Sequence, residues 1–207
     1  MHIDFKLYLI TDRHQCAPGH TLVSAVDAAL RGGVKAVQLR EKDLNPAQLL
    51  EYAQRLRILT QAYGAKLLIN DRADIAVAAE ADGVHLTEDS MDIRSARKVL
   101  GKNKLIGVST HSLEHARRAQ EDGADFITFS PVYFTPSKAA YGEPQGLGKL
   151  RRVCSEISLP VFALGGITPE RQAELQAAGA TGIALISAIM RAQDPAKGAQ
   201  AFKLYLS

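Results

Sequence analysis

Gln38, Arg40 and Lys42 alternate along Ala36-Val37-Gln38-Leu39-Arg40-Glu41-Lys42. On an extended strand end such residues project from one face. Arg40 supplies a planar fork and Lys42 a point charge, a pairing suited to a di- or polyphosphate. The competing arrangement is a solvated strand end with Arg40 tied to Glu41 or Asp71. Thr135-Pro136-Ser137-Lys138 adds hydroxyls and a further lysine, and continues through Tyr141-Gly142-Glu143-Pro144. That composition suits a lid over an anion as well as an ordinary surface loop. Asn70-Asp71 closes another apolar run, and a diphosphate leaving group needs its charge neutralised. Mg²⁺ held by one or two carboxylates plus phosphate oxygens is the usual solution, so Asp71 is the best metal candidate, with a salt bridge to Arg72 or Arg40 as its competitor. Gly165-Gly166 and Ile186-Ser187-Ala188 offer a second anion site, because glycine lets backbone N–H groups approach a phosphate closely. The alternative there is a tight turn into a Thr168 cap. His85 and His111 also end apolar runs, but neither belongs to a metal spacing or a nucleophile triad.

These residues share one kind of location. Eight short apolar runs, starting near Tyr8, Ala36, Leu67, Val84, Leu105, Phe126, Val161 and Ile183, each stop abruptly in polar or glycine residues. They alternate with amphipathic segments near 21–32, 46–63, 74–79, 93–100, 113–121, 147–156, 169–178 and 195–205. Buried parallel strands joined by crossover helices have this pattern. A (β/α)8 barrel, the TIM barrel, keeps its active site at the C-terminal ends of such strands. Helix starts are legible at Asn45-Pro46 and Thr168-Pro169, each a capping residue before proline, and Ser112 can cap the helix that follows it. A looser repeat, Gly32-Gly33, Asp82-Gly83, Asp122-Gly123 and Gly179, precedes every second strand, where a left-handed glycine would end the preceding helix. No dinucleotide-binding glycine fingerprint follows the first run, which favours a closed barrel over an open sheet.

The 207 residues suit one domain spanning 1–207, at about 25 residues per βα unit. An apolar content of 46% is ample for a core, and 23% charge argues against disorder. The net charge of +3 fits small anionic substrates. Without clustered basic residues it gives no support for a nucleic-acid footprint. Cys16 and Cys154 make no metal spacing, so a cytoplasmic location is the default. No run approaches the length of a membrane span, and the N-terminus lacks a signal-peptide core. The expected partners are therefore small phosphorylated molecules, with neither nucleic acid nor membrane, and a homo-oligomer is compatible with the sequence.

Six stretches carry a resemblance: Val37–Lys42, Ile69–Ala76, Asp82–Leu86, Gly107–Ser112, Thr135–Lys138 and Gly165–Thr168. In that order they resemble the thiamine phosphate synthase family, with its thiazole tautomerase branch, over essentially the whole chain. The resemblance implies a (β/α)8 transferase that joins a hydroxymethylpyrimidine diphosphate to a thiazole phosphate and releases pyrophosphate. It implies that Gln38, Arg40, Lys42, Asn70, Ser109 and Lys138 contact the diphosphate or pyrimidine, with Ser109 and Lys138 catalytic. Thr135 and Ser137 would flank the leaving group, serine standing where the synthases usually have threonine. Gly165, Gly166, Ile186 and Ser187 would hold the thiazole phosphate, and Asp71 the Mg²⁺. The synthases usually carry a second metal-binding aspartate four residues beyond Leu86, where this chain has Ser90, with Asp89 one step earlier. On an extended chain Asp89 would point away from the ion. The tautomerase branch usually has a catalytic histidine where this chain has Pro131. Thiazole tautomerase, or a non-catalytic protein that binds thiamine phosphate, is accordingly the alternative to a synthase.

Overall fold

Each apolar run is a strand, and the eight strands pair in chain order, all parallel, until the last returns to the first. The structure is a computed structural model describing residues 3–136 and 143–206. The strands are β1 (Leu7–Ile10), β2 (Ala36–Leu39), β3 (Lys66–Asn70), β4 (Gly83–Leu86), β5 (Leu105–Thr110), β6 (Phe126–Phe129), β7 (Val161–Leu164) and β8 (Gly182–Leu185). Leu9 pairs with Val37 on one side and Leu185 on the other, which closes the barrel. Helices α1 (Leu22–Arg31), α2 (Pro46–Ala62), α3 (Ala73–Ala78), α4 (Ile93–Leu100), α5 (Leu113–Glu121), α6 (Gly146–Glu156) and α7 (Gln172–Ala177) make the crossovers. After β8 come a four-residue helix, α8 (Ser187–Met190), and α9 (Pro195–Gln200).

The strand period of two sorts the core into two compartments. Tyr8, Ile10, Leu68, Phe126 and Phe162 point into the barrel, while Leu7, Leu9, Leu67, Ile69, Ile127 and Ala163 pack outward against the helices. Two strand glycines make room for the interior rings. A Cβ at Gly182 would sit 2.3 Å from Phe162, and one at Gly107 would sit 2.3 Å from Phe126. At the N-terminal end of the barrel, acidic residues just before alternate strands act as clamps. Asp82 Oδ2 accepts from the Leu67 amide at 2.8 Å and from Arg57 at 2.6 Å. Asp125 Oδ2 repeats this with the Ile106 amide at 2.7 Å and Arg97 at 2.7 Å.

Two local expectations are corrected. Gly33, Gly123 and Gly179 are left-handed, but before β4 that role falls to Glu80 (φ 52), not Gly83. Gly83 is required for another reason: a Cβ there would lie 2.1 Å from the Leu105 carbonyl oxygen. Thr168 makes no side-chain cap, and the helix starts with a 3-10 turn at Pro169–Arg171. The Thr168 hydroxyl instead serves Glu170, holding that carboxyl below its ordinary range. Asn45 and Ser112 do cap their helices, accepting from the Gln48 and His115 amides. Among the described residues no helix is long and apolar enough to cross a membrane.

Candidate active site

The strand C-termini open on a cavity of about 520 Å³ lined by Gln38, Arg40, Lys42, Asn70 and Ser109, with Pro131, Leu164 and Ile186 on its far side. The alternation from Gln38 to Lys42 therefore does what the spacing predicts. Glu41, on the opposite face, explains how it is held. This buried carboxylate accepts from the Thr11 hydroxyl at 2.7 Å, the Arg13 amide at 3.1 Å and the Arg13 guanidinium at 3.2 Å. Thr11 Oγ1 in turn accepts from the Arg40 amide at 2.9 Å. Glu41 is thus committed to the β1 end and does not neutralise Arg40. Arg72 pairs with Asp74 rather than Asp71, and among the described residues no ion pair involves Arg40 or Lys42. Asp43 completes the outer clamp: the Arg13 guanidinium holds its carboxyl well below the usual carboxylate range, with His14 assisting.

Gln38 reaches inward. Its amide donates to the Tyr8 hydroxyl at 3.0 Å, which lies 3.3 Å from His85 Nδ1. His85 Nε2 lies 3.1 Å from Ser109 Oγ. Burial, with the Arg40 charge second, lowers the His85 pKa to about 3, so the ring is neutral at ordinary pH. Burial also raises the Tyr8 phenol well above its usual value. Tyr8 is missed by the sequence reading and His85 is left there without a role, because a tyrosine in an apolar run reads as core. His111 lines the same cavity, with Nδ1 2.7 Å from the Ser130 carbonyl oxygen.

A neighbouring cavity of about 300 Å³ joins Lys42, Asn70, Asp71, Thr87 and Asp89. Asp71 sits in the left-handed region at φ 65, a strained conformation for a residue with a side chain and one that clusters at functional sites. Asn70 Oδ1 is buried and has no hydrogen-bond partner among the described residues. No cluster of three or more His, Cys, Asp or Glu able to hold a metal occurs among the described residues. Two carboxylates, Asp71 and Asp89, line this cavity, and two hard oxygen donors would leave a cation positions for phosphate oxygens. Asp89, not Ser90, lines this cavity together with Asp71, contrary to the extended-chain expectation. Residues 87–90 form a turn, so strict alternation does not apply. Ser90 Oγ folds back to accept from the Thr87 amide at 2.7 Å.

The second anion site is a cavity of about 150 Å³ lined by Thr135, Gly165, Gly166, Ile186 and Ser187, and it shares Ser130, Pro131, Leu164 and Ile186 with the larger cavity. Thr135 therefore lies at the β7–β8 pocket rather than beside Arg40. The Ser187 hydroxyl is engaged by Gln15 Oε1 at 2.6 Å, which also accepts from Arg191 at 2.9 Å. Gly165 (φ 99) and Gly166 (φ 64) are left-handed, and they are packed as well as open. A Cβ at Gly166 would meet the Phe134 carbonyl oxygen at 2.5 Å, and one at Gly165 would meet Pro131 at 2.8 Å. The Val132 and Tyr133 amides donate to Leu164 and Gly165 at 2.9 and 3.1 Å, stitching the two loops together. Ser137 and Lys138 lie outside the described residues.

A family profile described as thiamine monophosphate synthase matches residues 7–189. The chain belongs to that family. A Geobacter sulfurreducens relative is 58% identical over 199 residues, covering 96% of this chain and 93% of its own. A thiamine-phosphate synthase from Chloroflexus aurantiacus is 40% identical over 205 residues, covering 99% and 94%. Among solved structures, a thiamine phosphate pyrophosphorylase from Pyrococcus furiosus superposes with a TM-score of 0.87 at 37% identity, covering 98% of this chain and 95% of the other. The family match embraces every strand, so both cavities lie on a family scaffold.

Proposed function

We infer that this member of the family is a cytoplasmic thiamine-phosphate synthase, joining a hydroxymethylpyrimidine diphosphate to a thiazole phosphate. The contiguity of the two cavities carries this reading: a larger one with two cations that have no counter-ion among the described residues, and a smaller glycine-lined one sharing four residues with it. One space with two anion-suited ends is what transfer between two phosphorylated substrates requires. The pyrimidine methylene C–O bond breaks and its electron pair leaves with the diphosphate. The thiazole nitrogen lone pair then forms the new C–N bond, giving a thiazolium, and no general base is needed. Arg40 and Lys42 hold the departing charge, and Lys138 belongs to the same group. Gln38, Asn70 and Ser109 orient the pyrimidine, the open Asn70 Oδ1 suiting an amino group. The backbone at Gly165, Gly166, Ile186 and Ser187 receives the thiazole phosphate, and Thr135 and Ser137 would flank the leaving group. Mg²⁺, held by Asp71 and Asp89 with the diphosphate, would neutralise leaving-group charge. The remaining catalysis is positioning and preorganised charge.

The test is one assay of the purified protein with both substrates, with and without Mg²⁺, following pyrophosphate. Release that needs both substrates supports the synthase. Isomerisation of the thiazole phosphate without pyrophosphate release would replace it with the tautomerase reading. Binding of thiamine phosphate with neither reaction would make the chain a non-catalytic binding protein.

A further inference from the structure

His85 and Gly107 are register partners on β4 and β5. A Cβ at Gly107 would lie 2.7 Å from His85 Nδ1, so only glycine there admits the imidazole to the barrel axis. Once inside, the ring joins a buried chain with a definite direction. Gln38 Nε2 donates to the Tyr8 oxygen at 3.0 Å. A phenol has one proton of its own, so with Gln38 as its donor the Tyr8 hydroxyl has that proton to give to His85 Nδ1, 3.3 Å away. In that arrangement Nδ1 accepts, and the proton of the neutral ring sits on Nε2. Nε2 then donates to Ser109 Oγ, which lies 3.1 Å away, with Thr128 Oγ1 more distant at 3.5 Å. A serine oxygen that already accepts from His85 keeps its own proton to give, and Ser109 lines the larger cavity.

We propose that Tyr8 and His85 are positioning residues that fix the Ser109 hydroxyl as a donor to an acceptor atom of the bound pyrimidine diphosphate. The proposal rests on the synthase reading for the identity of that ligand, but not for the direction of the chain. Reversing the histidine tautomer would turn Ser109 round, so that its hydroxyl donated to His85 and met the ligand only as an acceptor. Two apposed acceptors repel, so the tautomer governs affinity without touching substrate.

Nitrogen-detected magnetic resonance of His85 in the ligand-free protein should show a single tautomer, bare at Nδ1 and protonated at Nε2. A proton on Nδ1 would overturn the proposal. Calorimetric titration with the pyrimidine diphosphate should then show Tyr8→Phe and Ser109→Ala each weakening binding roughly tenfold, and the double variant no worse than either alone. Losses that multiply would mean that Tyr8 acts through packing alone, and would equally overturn it. A wild-type protein that binds no pyrimidine diphosphate would count against the synthase reading, whereas the histidine spectrum still decides the direction of the chain.

Discussion

Arg40 is unusual for a half-buried arginine in having a carboxylate next to it in sequence that is committed elsewhere, since Glu41 is taken by Thr11 and Arg13. Among the described residues its guanidinium has no ion pair to break before it meets an anion. Replacing Arg40 by alanine should weaken pyrimidine diphosphate binding by about 2 kcal/mol, the scale of a charge-assisted bond in a partly buried site. Unchanged affinity by calorimetry would remove Arg40 from the site. His85 gives a second expectation. Its pKa falls from 6.5 to about 3 on folding. Between those values the unfolded chain binds a proton that the native protein does not. Stability from this group is thus complete above pH 6.5 and falls as the pH drops toward 3, by up to about 1.4 kcal/mol per unit. Urea midpoints at successive pH values should show His85→Gln with a shallower decline between about pH 6 and pH 4. An identical slope would place the acid sensitivity elsewhere. Gly166 illustrates a limit on such tests. Gly166→Val would remove the open backbone at the phosphate pocket, yet its Cβ would also strike the Phe134 carbonyl. A loss of thiazole phosphate binding in that variant would not isolate the anion contact.

At the level of elements, periodicity carries far when a strand is buried on both faces and fails where a loop folds back. All eight strands and the helices from α1 to α7 lie close to where the apolar runs place them. The four-residue α8 has no pattern of its own, because four residues show less than two turns. Arg40, Lys42 and Asn70 were legible because strand alternation aims them. Tyr8 was not, because hydrogen bonds to Gln38 and His85 depend on strands that are distant in sequence. The turn after β4 is the case with a chemical consequence. Its hydrogen bonds, Ser90 to the Thr87 amide and hydroxyl, direct Ser90 into the turn and leave Asp89 on the side of Asp71. Asp89→Asn should raise the Mg²⁺ concentration for half-maximal turnover roughly tenfold, about 1.4 kcal/mol for one lost carboxylate charge at the ion. Ser90→Asp should not lower it, because the aspartate would take over the turn's own bonds. The opposite ranking in a metal titration would restore the position at 90 as the ligand.

Across the whole molecule the two ends of the barrel divide the work. The N-terminal end carries the Asp82 and Asp125 clamps, which tie strand amides to helix arginines. The C-terminal end carries Arg40 and Lys42, which have no ion pair among the described residues, the left-handed Asp71 and the open Asn70 oxygen. This separation lets the site keep strained and unpaired groups while stability is supplied elsewhere. Closure has a further consequence. With β1 paired to β8 no strand is an edge, so no subset of strands can leave without breaking two ladders. We therefore expect one cooperative thermal transition for residues 1–207, as a single domain would give. Ligands at the C-terminal end should raise that transition as a whole, because they bridge strands from both sides of the barrel. At a hundredfold excess over its dissociation constant, pyrimidine diphosphate with Mg²⁺ should add about 2.7 kcal/mol, or roughly 5–10 °C for a chain of this size. Calorimetry with and without the ligand checks both points. Two resolved transitions, only one of them moved by ligand, would show that the barrel unfolds in parts and that the substrate groups do not span it.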